Sequence, residues 1–171
     1  MVVRSGPEVP LVTSSDTEAL DAFVRVAHRV VWAAVATVDR RGRPRSRVLH
    51  PYWQRTPDGL VGWVFTRPTP LKLAHLAAAP FASCTYWDPG AYETAVAECD
   101  AALVGDAATR RLVWDLFAQA PQPLGYDPRI LGVDGPLDEA IVVLRLEPWR
   151  LSTGGALPTA PRHGWVRPAA A

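Results

Sequence analysis

Three arginines fall within five residues, Arg43, Arg45 and Arg47, in the stretch RGRPRSRVLHPYW (41–53), which then turns apolar and aromatic. A guanidinium offers a planar fork of donors that matches phosphate or carboxylate oxygens. A phosphate dianion needs several such donors, so one arginine is not a site. In an extended strand, side chains alternate between faces, which puts Arg43, Arg45 and Arg47 on one face with Leu49 and leaves Ser46, Val48 and His50 on the other. Arg43 and Arg45 read as solvated turn residues; Arg47 lies deeper in the strand. Further along come Thr66 and Arg67 at the end of a later strand, then Lys72 one turn into the helix that follows. A strand end, a hydroxyl and a helix opening with a lysine together make a phosphate cradle.

The other candidate residues read more simply. His50 sits where an imidazole can hydrogen-bond a ligand or move a proton. His75 reads as a surface residue, and His28 as a cation suited to the end of a helix. Cys84 and Cys99 read as small buried hydrophobes on adjacent strands. Without a CxxC or a Cys/His ligand spacing, they argue against a zinc site and against a secreted disulfide scaffold. Asp127 and Asp134 lack calcium-loop spacing, and there is no HExxH or Ser/His/Asp arrangement that would suggest hydrolysis.

The elements that must position these residues follow from the pattern. Ser15 and Glu18 form a capping box, and Leu20, Phe23, Val24, Ala27 and Val31 keep helical spacing, which predicts a helix over 16–30. Strands are expected at 30–39, 43–53, 60–67, 81–88, 92–105 and 140–151. Gly42 sits in the first hairpin turn, where a positive φ is needed. A short helix follows Thr69, with Pro70 tolerated in its first turn and Pro80 ending it. Asp106 caps a helix over 107–119. Residues 121–139 read as a long Pro/Gly loop. Residues 1–13 read as a loose arm, and 159–171 as a disordered tail beyond a single domain spanning 1–158. Short strands with tight turns and few helices predict an antiparallel barrel rather than βαβ units. The missing GxGxxG argues against a dinucleotide fold.

Composition narrows the function classes. The net charge of +1 gives no global field for nucleic acid or an anionic membrane, so neither is an expected partner. No leader-like apolar stretch or 18-residue apolar run is present, which makes a cytoplasmic protein the expectation. Seven tryptophans are many for 171 residues, and they suggest aromatic surfaces at a ligand or a partner subunit as well as in the core.

Three segments in order, ATVDRRGRPRSRVL, GWVFTRPTPLKLAHLAAAPFASCTYW and the RRLVWDLF helix, resemble the pyridoxamine 5'-phosphate oxidase-like, FMN-binding split-barrel family over roughly residues 16–151. The GRPRSRVLHPYW stretch looks like that of uncharacterised actinobacterial-type members. The resemblance implies a mainly β fold, a six-stranded antiparallel split barrel with flanking helices. It also implies a homodimer with two FMN sites at its interface.

Residue by residue, Arg47 and Lys72 match the family's phosphate ligands, and Thr66 its hydroxyl residue, with Phe65 in the tyrosine position beside it. Val48 and Leu49 match residues whose backbone lines the flavin. His50 and Arg67 adjoin these positions, and Trp149 is placed to approach a partner's flavin. The departures are informative. Family oxidases carry a lysine at the position of Tyr52, a glutamine near Thr94, and a C-terminal segment that grips the vitamin B6 phosphate. The phosphate grip on the cofactor is kept here and the vitamin grip is not. The implied activity is therefore an FMN-dependent oxidoreductase acting on another small molecule. A deazaflavin-dependent reductase is one alternative. A non-catalytic flavin- or haem-binding protein is another, and for haem only His50 or His75 lies near the site.

Overall fold

A computed structural model describes residues 15–155, 157 and 160–169. The arm expected over 1–13 and positions 159, 170 and 171 of the expected tail lie outside the described residues, as do 14, 156 and 158. Eight strands and three α-helices follow in the order α1 (Asp16–Val30), β1 (Ala33–Val38), β2 (Pro44–Leu49), β3 (Tyr52–Thr56), β4 (Gly59–Thr66), α2 (Pro70–Ala78), β5 (Phe81–Asp88), β6 (Glu93–Val104), α3 (Ala107–Gln119), β7 (Val142–Gly155) and β8 (Arg162–Val166). A single 3₁₀ turn, Pro128–Leu131, interrupts the long loop.

The helix ends follow from their caps. Ser15 Oγ accepts from the Glu18 N–H at 3.3 Å, and Asp106 accepts from the Thr109 N–H at 2.8 Å. Each satisfies a helix donor that would otherwise be left without a partner. Gly42 closes the β1–β2 hairpin at φ 76°, as its place in the turn requires.

All strand pairs are antiparallel, in the order β2-β1-β5-β6-β7-β4-β3. The long β7 carries β4 along the first half of one edge (Val142–Leu146) and β8 along the second (Arg150–Gly154). The stretch expected to be a disordered tail therefore carries a strand. Trp165 explains why: it is buried, and its ring covers Gly59.

The strand expected as one piece over 43–53 is two, β2 and β3. Pro51 has no N–H to give a ladder, and the chain leaves β1 at His50 to pair with β4 instead. β2 and β3 are the two ends of the strand order, yet only His50 and Pro51 separate them. The sheet thus curls until its ends meet at this link, and it is not closed by hydrogen bonds. Among the described residues this gives eight strands in an open barrel rather than six.

Inside the curl, α1 places Phe23 edge-on to Trp53, with ring centroids 5.0 Å apart. Trp53 donates its indole N–H to the Tyr86 hydroxyl at 2.8 Å, so the buried ring leaves no polar atom unpaired. Gly62 is required beneath Trp53, because a Cβ there would stand 2.7 Å from the indole. A second apolar cluster joins β4 to α3 through Phe65, Trp114 and Phe117. Arg110 ties the long loop to α3 by donating to the carbonyls of Pro136, Asp138 and Ile141 at 2.8, 2.6 and 3.1 Å.

Candidate functional site

α2 packs with its polar residues inward. Lys72, His75 and Leu76 share a face at the i, i+3, i+4 spacing of a helix, and all three are buried, while Leu71 and Leu73 are exposed. Folding alone disfavours this arrangement, since lysine is almost never buried unless paired. The inward face meets β1 and the end of β4. Among the described residues, four of the five buried polar or charged side chains gather here: Thr37, Thr66, Lys72 and His75.

Hydroxyls hold the cations. Lys72 Nζ donates to Thr66 Oγ1 and, at 3.0 Å, to the Arg67 carbonyl. Arg47 Nη1 donates to Thr37 Oγ1 at 3.2 Å. Their placement follows from register. Arg47 pairs with Val35 across the β1–β2 ladder, so Thr37, two residues on, shares its face. No carboxylate pairs with Arg47 or Lys72 among the described residues. Burial depresses the Lys72 pKa to about 8, and the nearby Arg47 guanidinium adds to the effect. Two cations share a site without an acid, which is the donor set of an anion site.

The other two arginines of the opening stretch are occupied or exposed. Arg43 pairs with Asp39 at 2.7 Å, and this bond holds the carboxyl down near 2. Arg45 is exposed on β2. Arg67 turns away, its guanidinium reaching the Leu131 carbonyl at 3.4 Å. Its contribution to the cradle is its backbone oxygen.

From Val48, next to Arg47, the surface becomes apolar. A pocket of about 360 Å³ is lined by Trp32, Val48, Leu49, His50, Phe65, Pro123, Tyr126, Ile130 and Leu131. The His50 ring lies 5.1 Å from Trp32, 5.1 Å from Tyr126 and 5.6 Å from Phe117, centroid to centroid. Burial lowers the His50 pKa, and a backbone hydrogen bond at Leu124 opposes this. Its Nε2 is buried and has no partner among the described residues. The same burial pushes the Tyr126 hydroxyl up to about 12. Tyr52 packs against His28 and Phe117, with centroids 5.1 and 5.9 Å apart. Larger pockets of about 840 and 510 Å³ flank Trp165, but the arginines there are already paired, Arg55 with Asp21 at 3.0 Å and Arg167 with Asp100 at 2.8 Å.

Of the residues expected at the site, Lys72 reaches Thr66 and the Arg67 carbonyl, Arg47 reaches Thr37, and Val48, Leu49, His50 and Phe65 line the apolar pocket. Thr94 and Trp149 are elsewhere in the chain. Thr94 donates to the Gly154 carbonyl at 3.1 Å. Trp149 stands half-exposed at the irregularity where β7 slips against β6. Neither lines the pocket or touches the cations among the described residues.

Two histidines are corrected. His75 is 3% exposed rather than a surface residue, because its spacing from Lys72 puts it on the inward face of α2. His28 accepts the Trp53 N–H at Nε2 at 3.1 Å, and burial lowers its pKa, so it is a neutral acceptor rather than a helix-end cation. Thr37, Trp32 and Tyr126 were missed. Only Thr37 left a signal, a polar residue in step with the buried Ala33 and Val35. Cys84 and Cys99 are buried free thiols. Among the described residues no cluster could hold a metal ion, and no helix is long and apolar enough to cross a membrane.

No family model and no curated protein matches this chain. Solved structures do match in fold. A Clostridium acetobutylicum protein related to general stress protein 26 of B. subtilis, of the pyridoxinephosphate oxidase family, has a TM-score of 0.68 at 10% identity, over 90% of this chain and 96% of that one. A pyridoxamine 5'-phosphate oxidase-related, FMN-binding protein from Nostoc punctiforme has a TM-score of 0.59 at 20% identity, over 88% and 86%. An F420 reductase has a TM-score of 0.52 at 16% identity, over 75% and 94%. The fold is thus that of the pyridoxamine 5'-phosphate oxidase-like split barrel, and the site is an acid-free pair of cations beside an apolar pocket.

Proposed function

We propose that this chain binds FMN and works as a flavin-dependent oxidoreductase on a small molecule other than a vitamin B6 phosphate. The observation that carries this is the pairing of Arg47 and Lys72 by hydroxyls, with no carboxylate to neutralise them. The residues fit the cofactor at both ends. A guanidinium and an ammonium suit a phosphate dianion. Next to Arg47 in the chain, where β2 ends, the aromatic pocket around His50 suits a planar ring. When bound, a flavin supplies hydride-transfer chemistry, and the protein supplies orientation and electrostatics. Arg47, Lys72 and Thr66 would hold the phosphate. Val48 and Leu49 would present backbone to the ring, and Phe65 and Tyr126 would exclude water from it. His50, neutral and unpartnered at Nε2, is the group available to hold or accept a proton there.

A second copy of the chain completes this reading. Trp32, Val48 and Ile130 at the pocket rim are 58%, 67% and 79% exposed. Large apolar residues grouped this way mark a surface that another molecule covers. In a homodimer, Trp149 and Thr94 would come to the flavin from the partner. Deazaflavin is the second reading, favoured by the likeness to an F420 reductase, since it presents a similar ring and a phosphate to the same residues. A cytoplasmic place goes with either cofactor.

The test is the visible spectrum of the purified protein, the mass of any released cofactor, and titration with FMN. A flavin spectrum with the FMN mass, bleached by a donor and restored in air, is the expected result. A protein that carries no flavin and binds no added FMN overturns the assignment. A cofactor that resists reoxidation by air moves it to deazaflavin.

A further inference from the structure

Thr37 and His75 are 2% and 3% exposed and touch each other; Thr37 holds Arg47, and His75 has no role in the reading above. Thr37 Oγ1 lies 3.2 Å from His75 Nδ1 and 3.2 Å from Arg47 Nη1. The protons can be assigned from the partners. A guanidinium only donates, so the Thr37 oxygen accepts from Arg47. The hydroxyl keeps one proton of its own, and His75 Nδ1 is the acceptor within reach of it.

We propose that His75 is a positioning residue for the anion grip: by accepting a hydrogen bond from the Thr37 hydroxyl, it turns that oxygen's lone pairs toward Arg47 and keeps the guanidinium beside Lys72. The proposal rests on the reading that Arg47 and Lys72 hold the cofactor's phosphate. Arg47 has need of such a device. It repels Lys72, it has no carboxylate partner among the described residues, and a free arginine side chain has much rotamer entropy to lose on binding. Thr66 and the Arg67 carbonyl do for Lys72 what Thr37 and His75 do for Arg47. The two cations are thereby held in place before the anion arrives, and binding does not have to order them.

Riboflavin separates positioning from folding, because it has the ring of FMN without the phosphate. The full chain is titrated with FMN and with riboflavin, following flavin fluorescence, for the wild type, His75→Leu, His75→Asn, Thr37→Val and the Thr37→Val/His75→Leu double variant. The wild type is expected to prefer FMN. His75→Leu is expected to cut that preference by about tenfold, the order of one hydrogen bond to a charged group. His75→Asn restores it, since the amide oxygen can sit where Nδ1 sat. Thr37→Val matches His75→Leu, and the double variant is no worse than either, as expected for groups acting as one unit. Equal losses for FMN and riboflavin, or an unchanged preference in His75→Leu, overturn the positioning role and leave the phosphate site standing. A wild type without preference overturns the phosphate reading itself. If His75→Leu does not fold, Thr37→Val with His75→Asn makes the same comparison.

Discussion

Raising the pH from 7 to 9 is expected to weaken FMN binding by about tenfold, and the origin of the effect is Lys72. Its pKa is held near 8 rather than the ordinary 10.5, first by burial and then by the Arg47 guanidinium. A bound phosphate, a dianion throughout this range, restores the favour for the charged form. The fraction of free protein ready to bind is then the fraction with Lys72 protonated. That fraction is about nine-tenths at pH 7 and one-tenth at pH 9, so the apparent affinity falls by about tenfold, or about 1.4 kcal/mol. Stability of the free protein moves the other way. Above pH 8 the unfolded chain still holds a proton that the folded chain has given up, so the folded state gains as pH rises toward 10.5. Between pH 7 and 9 the gain is about 1 kcal/mol, once solvent at the mouth of the site is allowed for. Lys72→Met removes both effects while keeping the length of the side chain. The assays are FMN titration and urea unfolding in phosphate-free buffer, each at pH 7 and 9, for both proteins. If the Met variant loses FMN affinity with pH as steeply as the wild type, the reasoning about Lys72 is refuted.

Three other outcomes follow from the same structure. Arg47→Ala combined with Lys72→Ala is expected to lower FMN affinity by at least a hundredfold, on about 1.5–3 kcal/mol for each charged contact, and to leave riboflavin binding nearly unchanged; equal losses in the two titrations would count against the phosphate site. Gly62→Ala drives a methyl against the Trp53 indole and is expected to cost about 1–3 kcal/mol of stability, read as a lower urea midpoint, with Gly105→Ala, whose methyl meets nothing within 4 Å, as the control. Cys84 and Cys99 are buried and burial raises the Cys99 thiol well above its ordinary value, so a thiol reagent is expected to find both only after denaturation, and fast labelling of the native protein would contradict their burial.

The helices and most strands were legible because their signals are local. The capping box at Ser15 and the cap at Asp106 mark helix starts, and the boundaries of 81–88 and 107–119 stand in the structure as read. The misreadings share another cause, which is long-range pairing. The periodicity of 43–53 runs through Pro51, and nothing nearby says that β3 pairs with β4 on the far end of the sheet. β8 exists because β7 is long enough to offer it an edge, in a sequence whose Gly, Pro and Ala content reads as loose chain. In the site, Arg47, Thr66 and Lys72 could be read because charge and hydroxyl types at strand and helix ends are informative. His75 could not, because a histidine on a short helix looks the same whether its face turns in or out. The inward polar face of α2 is fixed by what β1 places opposite it, and that is a property of the fold.

The open end of the sheet also bears on a solution of many copies. Among the described residues β2 has a partner on one side only, so its other edge presents N–H and C=O groups on which a foreign strand could build. Pro44 and the exposed Arg45 lie on that edge, and Arg43 leads into it. A proline removes a donor, and like charges on two such edges repel, so the stretch that begins with arginines resists strand-to-strand growth where the sheet is most exposed to it. On the proposed reading of Arg47, colloidal behaviour and ligand recognition divide within one short segment, the first with Arg43 and Arg45 at its start and the second with Arg47 further in.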